Sequence, residues 1–134
     1  MKRASFVLVF AAILALSFAL PTVAETITCT ECGMMLEVGS KFTAKIVEEG
    51  KDLYFCDIGD LFAYLNRKKP QNVRIQVKDF PSGAWIDARS ASYVWSAKKF
   101  SSPMGWGIAA FQDRKDAAAY GSALDFDAAM KAVQ

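Results

Sequence analysis

The chain has 134 residues, 53% hydrophobic and 22% charged, with 16 basic and 14 acidic side chains and no histidine. That length holds one domain or two very small ones. A formal charge of only +2, with no strongly charged run, offers no counterion-displacing face for nucleic acid and no patch for a membrane surface.

The N-terminus reads as an export signal. Lys2 and Arg3 form a basic n-region, and "FVLVFAAILALSFAL" (residues 6–20) is an apolar stretch too short to span a bilayer comfortably. Pro21 leads into small residues at Thr22 and Ala24 that suit cleavage before Glu25. No cysteine directly follows the apolar run, so neither lipid attachment nor a stable membrane anchor is expected. Residues 1–24 are therefore predicted to be a signal peptide, and the mature chain periplasmic. Without Lys2 and Arg3, the 16 basic residues fall to 14, against 14 acidic.

The mature chain opens on "ITCTECGMMLE" (residues 27–37), where Cys29 and Cys32 stand three apart and Met34 and Met35 follow. Cys56 completes a set of three cysteines. Outside the cytosol thiols pair unless a metal or reductant protects them. Three cannot all pair within one chain, so at least one is free, metal-bound or joined to a partner.

Next, Phe42, Ala44 and Ile46 alternate with Lys41, Thr43 and Lys45, the period of a half-buried strand. "EEGKD" turns the chain around Gly50 and "LYFC" returns it as a hairpin. "DIGDLFAYLNRKK" switches to helical spacing, with Ile58, Leu61, Phe62 and Leu65 on one face. Asp57 suits the N-cap and Asp60 the first turn; Arg67, Lys68 and Lys69 close the helix, and Pro70 stops it. "NVRIQVKDF" alternates again, giving β-β-α-β over residues 25–80.

Residues 81–134 are expected to repeat that order. "FCDIGDLFAY" (55–64) and "FQDRKDAAAY" (111–120) share five of ten positions at an offset of 56. Before the second copy, "AWIDARSASYVWS" and "GWGIAAF" read as one strand each, and "DFDAAMKAVQ" as a closing helix capped by Asp125 or Asp127. The predicted fold class is α+β, two tandem ββαβ units. The plainer explanation of the decamer is that F-x-D-x-x-D commonly ends a strand and caps a helix, which also suits Asp113 and Asp116.

The residue types narrow the chemistry. Thiolates and thioethers are soft ligands favouring copper(I), whereas thioether suits zinc poorly, so C-x-x-C followed by Gly-Met leans to copper(I). Gly33 lets the backbone bend so that Cys32 and Met34 can turn to one point. Cys56 falls where a strand meets a helix N-terminus, where the dipole is expected to lower its pKa and favour thiolate. Met104, in the loop "SSPMGWG", adds another sulfur. Cys32 and Met34 with one of Cys29, Cys56 or Met104 suffice for copper(I). The alternatives are thiol-disulfide exchange with a partner by Cys29 and Cys32, in which Cys56 resolves or stays buried, and a Cys29–Cys32 link that only staples a loop. On the plain readings Met34 and Met35 fill core, Cys56 is a small buried hydrophobe, and Trp85, Trp95 and Trp106 pack. Without a histidine base, a nucleophile elbow or a phosphate loop, no enzyme is expected.

"CTECGMM", "YFCDIGDLFAYL", "GAWIDARSASYV" and "SSPMGWGIAAF" together resemble, in order, the NosL family of copper-binding accessory proteins. The most specific matches are C-G-M at residues 32–34, W-I-D-A at 85–88 and P-M-G at 103–105. The resemblance implies paired ββαβ units similar in topology to the organomercurial lyase fold. It also implies copper(I) binding in the periplasm and donation to a cuproenzyme or other copper-acceptor protein, typically nitrous-oxide reductase. Carried over by position, the family's cysteine and methionine ligands fall on Cys32 and Met34. Lacking histidine, this chain would use Cys29 and Cys56 as further thiolates, with Met104 closing over the site.

Overall fold

The computed structural model describes residues 26–37 and 39–134. The expected signal peptide and its cleavage point lie outside the described residues. β1 (Ala44–Glu48) and β2 (Lys51–Phe55) form the first hairpin, Ala44 opposite Phe55 and Glu48 opposite Lys51. Its two-residue loop holds Glu49 and Gly50 at φ 48° and 76°, the mirror-image turn that follows the twist of a tight hairpin.

Helix α1 (Ile58–Lys68) starts where Asp57 accepts the Gly59 N–H at 3.1 Å, and ends where Lys69 turns left-handed before Pro70. Ile58, Leu61, Phe62 and Leu65 are buried, as their spacing predicts. β3 (Arg74–Lys78) runs antiparallel to β1, so Ile75 lies opposite Ile46 and Val77 opposite Ala44. These four side chains and the apolar face of α1 share the larger core cluster.

The stretch expected as one strand, "AWIDARSASYVWS", is two. β4 (Trp85–Asp87) pairs with β3 and extends the first sheet to the order β2-β1-β3-β4. β5 (Ser92–Trp95) instead pairs with β6 (Ile108–Phe111) in a separate two-stranded sheet. The break has a local cause: Asp87 Oδ1 accepts the Arg89 and Ser90 N–H groups at 2.8 and 3.1 Å, a side-chain turn that competes with extended pairing. The Tyr93 hydroxyl then donates to the Ala88 carbonyl at 2.6 Å and locks the corner.

α2 (Arg114–Ala118) follows β6, and α3 (Phe126–Ala132) is capped by Asp125, which accepts the Ala128 N–H at 2.8 Å. Val94, Phe100, Ala109, Phe111 and Ala117 form a second, smaller core, with Phe80 packed against it. The whole is a mixed α+β fold with antiparallel sheets. Among the described residues no helix is long and apolar enough to cross a membrane.

Buried Asp79 joins the two sheets. Next to its bridge with Ala110, its carboxylate accepts the Gln112 N–H at 2.8 Å and both the Ser82 hydroxyl and the Ser82 N–H. Burial pushes this carboxyl up, but the bonds from Ser82 and Gln112 outweigh it and hold it below the ordinary carboxylate range. Asp79→Asn turns an amide N–H toward these donors and is expected to cost about 1–3 kcal/mol at neutral pH. Ionised Asp79 contributes stability in full above roughly pH 3.9, and that stability is lost as pH falls through the lower folded value. In thermal melts across pH, the gap between parent and variant should therefore narrow in acid; a constant gap would contradict this.

Candidate metal site

The C-x-x-C lies on a small turn docked against β2 and α1. Thr28 bridges Met35, the Leu36 N–H donates to the Ile27 carbonyl at 2.9 Å, and the Gly33 N–H donates to the Cys29 carbonyl at 2.9 Å. Gly33 adopts φ 75°, the left-handed bend its position predicts. Two anchors fix this turn on the fold. The Thr30 N–H donates to the Tyr54 carbonyl at 2.7 Å, and Glu31 forms a two-pronged ion pair with Arg67 of α1, both contacts at 2.7 Å.

That docking brings two distant stretches of chain together. Cys29, Cys32, Cys56 and Asp60 place three sulfurs and a carboxylate oxygen within 4.8 Å of one another, a group that could hold a metal ion. Cys32 Sγ and Cys56 Sγ touch at 3.4 Å, and the Cys56 N–H donates to Cys29 Sγ at 3.4 Å. The thiols of Cys29 and Cys56 point to Asp60 Oδ2 at 3.7 and 3.6 Å. Cys29 and Cys56 are buried, and Cys32 is half-buried.

The expected lowering of the Cys56 pKa by the helix N-terminus is overturned. Burial pushes this thiol up, and the neighbouring Cys32 and Cys29 sulfurs and the Asp60 carboxylate add to the rise. Loss of hydration and nearby negative charge outweigh the helix end. Cys32 is also raised, again by burial first, against a lowering by the Met34 backbone amide. A cation bound by these groups as thiolates must displace their protons.

The methionines occupy the rim. Met34 is 47% exposed, Met35 71% and Met104 43%, so none fills core. Met34, Met35 and Cys56 line an open cleft of about 690 Å³ together with Phe80, Ser102 and Pro103. Met104 rides on the β5–β6 loop, which is tied to the start of α1. Fully buried Asp57 accepts the Ser102 hydroxyl at 2.6 Å and the Met104 N–H at 3.1 Å, besides capping Gly59.

Sequence reading assigned Asp57 and Asp60 to helix capping and the helix dipole, and Trp106 to packing. Their further roles appear only in the fold. Asp60 Oδ1 accepts the Trp106 indole N–H at 3.0 Å while its other oxygen faces the thiols. One signal was available: Asp60 follows Cys56 by four residues, one helical turn. Trp106 also lies flat against Gly59, where an added Cβ would meet its Cγ at 2.0 Å. Gly59→Ala should therefore reverse the usual sign for a helix interior. Helix propensity favours alanine by about 0.8–1.0 kcal/mol, but the overlap is expected to cost about 1–3 kcal/mol and to expel the indole. Loss of the hydrogen-bonded Trp106 N–H resonance would register the displacement; an unchanged resonance with raised stability would contradict it.

A small antiparallel α+β frame carrying a buried thiol–carboxylate knot defines the class: a protein with a metal-competent cysteine cluster. The profile of the NosL family matches residues 20–125, and the chain belongs to that family. Among solved structures it is similar to the copper chaperone NosL from Shewanella denitrificans, with a TM-score of 0.61 and 27% identity. The similarity covers 76% of this chain and 88% of that one. Comparison with curated proteins gives no match.

Proposed function

We propose that the protein is a periplasmic copper(I) carrier that hands its metal to a copper-acceptor protein. The observation that carries this reading is the convergence of three cysteine sulfurs, from a docked turn and a strand end, on one point beside an open cleft. Soft sulfur at low coordination number favours copper(I). Cys32, half-buried, and Met34, on the rim, are the proposed entry ligands, with Cys29 and Cys56 supplying further thiolates. Met104, on the loop anchored through Asp57, would close over the metal. The similar Shewanella denitrificans protein is described as a copper chaperone, and this supports the same role here. Nitrous-oxide reductase is one candidate recipient within that reading.

A ligand set left open on one side suits transfer, because an incoming sulfur can bind before an outgoing one leaves. The test is anaerobic copper(I) titration of the reduced protein against a chromophoric chelator, beside Cys32→Ser and Met34→Leu. One-to-one binding weakened by both substitutions is expected; binding indifferent to Cys32→Ser would end the assignment.

For the architecture, we propose a first ββαβ unit over residues 25–80 and a shortened second one over 81–134, in the manner of the organomercurial lyase fold. Support comes from strand order. Tyr93 of β5 bridges Leu124 on the side away from β6, as β1 is flanked by β2 and β3. Leu124 would then be the remnant of that unit's third strand.

A further inference from the structure

We infer that Cys32 and Cys56 are a reversible disulfide site for an incoming disulfide, and that this link, rather than one inside the C-x-x-C, closes the thiol cluster to copper. The loss of copper binding rests on the copper(I) function proposed above; the pairing itself does not.

The geometry distinguishes the three thiols. Cys32 Sγ already touches Cys56 Sγ at 3.4 Å, so a short approach brings the pair to a disulfide bond length of about 2.0 Å. Cys32 sits on the turn and is half-buried, whereas Cys56 is only 3% exposed and Cys29 2%. Cys29 Sγ is also held from behind, accepting the Cys56 N–H at 3.4 Å and facing Asp60 at 3.7 Å. Cys32 is thus the thiol an external disulfide reaches, and Cys56 the one placed to resolve.

The exchange balances. Cys32 sulfur attacks one sulfur of the incoming disulfide, forming a mixed disulfide and releasing the first thiol. Cys56 sulfur then attacks Cys32 Sγ, forming the internal bond and releasing the second thiol. The two cysteines are oxidised, the incoming disulfide is reduced, and both cysteine protons end on the two departing thiols. The product ties the turn to the start of α1 across 24 residues, a longer loop than C-x-x-C closure would make, and so constrains the unfolded chain more. It also removes two of the three thiolates proposed for copper.

Oxidised glutathione is the probe. The purified, reduced, metal-free protein is incubated with it, alkylated, digested and mapped by tandem mass spectrometry. The expected product links Cys32 to Cys56 and leaves Cys29 alkylated, with a raised melting temperature. Cys56→Ser should stall with glutathione on Cys32, and Cys29→Ser should still form the link. A Cys29–Cys32 link, or glutathione adducts alone on the parent protein, would overturn the pairing; the parent map stands even if a variant fails to fold. Copper(I) titration of linked and reduced protein completes the test. Equal binding by both would overturn the closure, whereas no binding by the reduced protein would refute the copper reading and leave the mapped link intact.

Discussion

Cys32→Ser is expected to weaken copper(I) binding by at least about 100-fold, close to 2.8 kcal/mol. Replacing an outer partner of a metal ligand commonly costs 10–100-fold, and removing a ligand itself belongs at or beyond the top of that range. Serine offers a hard oxygen that keeps its proton near neutral pH, so it does not substitute for a soft thiolate. Cys32 is also the half-buried member of the three thiols, at the boundary between the buried sulfurs and solvent. Cys29 and Cys56 remain together in the variant, so weak residual binding is expected rather than none. Competition against a chromophoric copper(I) chelator under anaerobic conditions measures the change. An affinity equal to the parent's would mean that the metal is held elsewhere.

Asp57→Ala should produce the largest loss of stability at the site, about 3 kcal/mol, because it strands three donors at a point with no access to water. The Ser102 hydroxyl, the Met104 N–H and the Gly59 N–H all converge on this carboxylate. Ser102 in turn accepts the Gly107 N–H at 2.9 Å, so the loss spreads along residues 102–107. Asp57→Asn keeps an acceptor but turns an N–H toward a donor, and an intermediate loss is expected. Denaturant unfolding gives the stability, and amide exchange at Met104 and Gly59 tests the location. Unchanged exchange at both amides would contradict the anchoring role.

The pH dependence at Asp57 has the opposite sign to that at Asp79. Burial pushes the Asp57 carboxyl up, against the hydrogen bonds that lower it. A raised folded value means that its contribution is complete below the unfolded value of roughly 3.9 and is lost as pH rises through the folded one. The deficit of Asp57→Asn should therefore shrink from acid toward neutral pH, while that of Asp79→Asn grows. Two buried carboxylates of one small fold thus respond oppositely, because bonds outweigh burial at one and burial outweighs bonds at the other.

Much of the frame was legible because it follows from local rules. The alternation around Ala44 and Ile46, the turn at Gly50 and the apolar face of α1 with its Asp57 cap each depend on neighbours within a few residues. The division of residues 84–96 into β4 and β5 was not legible, since no glycine or proline falls within the stretch to mark a turn. An aspartate turn at Asp87 and a hydroxyl reaching back from Tyr93 decide the break. The repeated decamer illustrates the same limit. Asp60 and Asp116 hold matching positions in the two copies, yet Asp60 is buried among thiols and Asp116 is exposed.

By itself, the amino-acid sequence determined which soft atoms are available and which short elements carry them: three cysteines, a Gly-Met bend and a capped helix following a strand. Tertiary structure alone decided that the 29–32 turn docks through Thr30 and the Glu31–Arg67 pair, so that its sulfurs meet Cys56 and Asp60. It also decided that Cys56 is desolvated enough to override the helix end. The physical reason is range. Periodicity and capping act over one or two helical turns, whereas burial and the meeting of residues 24 to 31 positions apart depend on how separate elements pack.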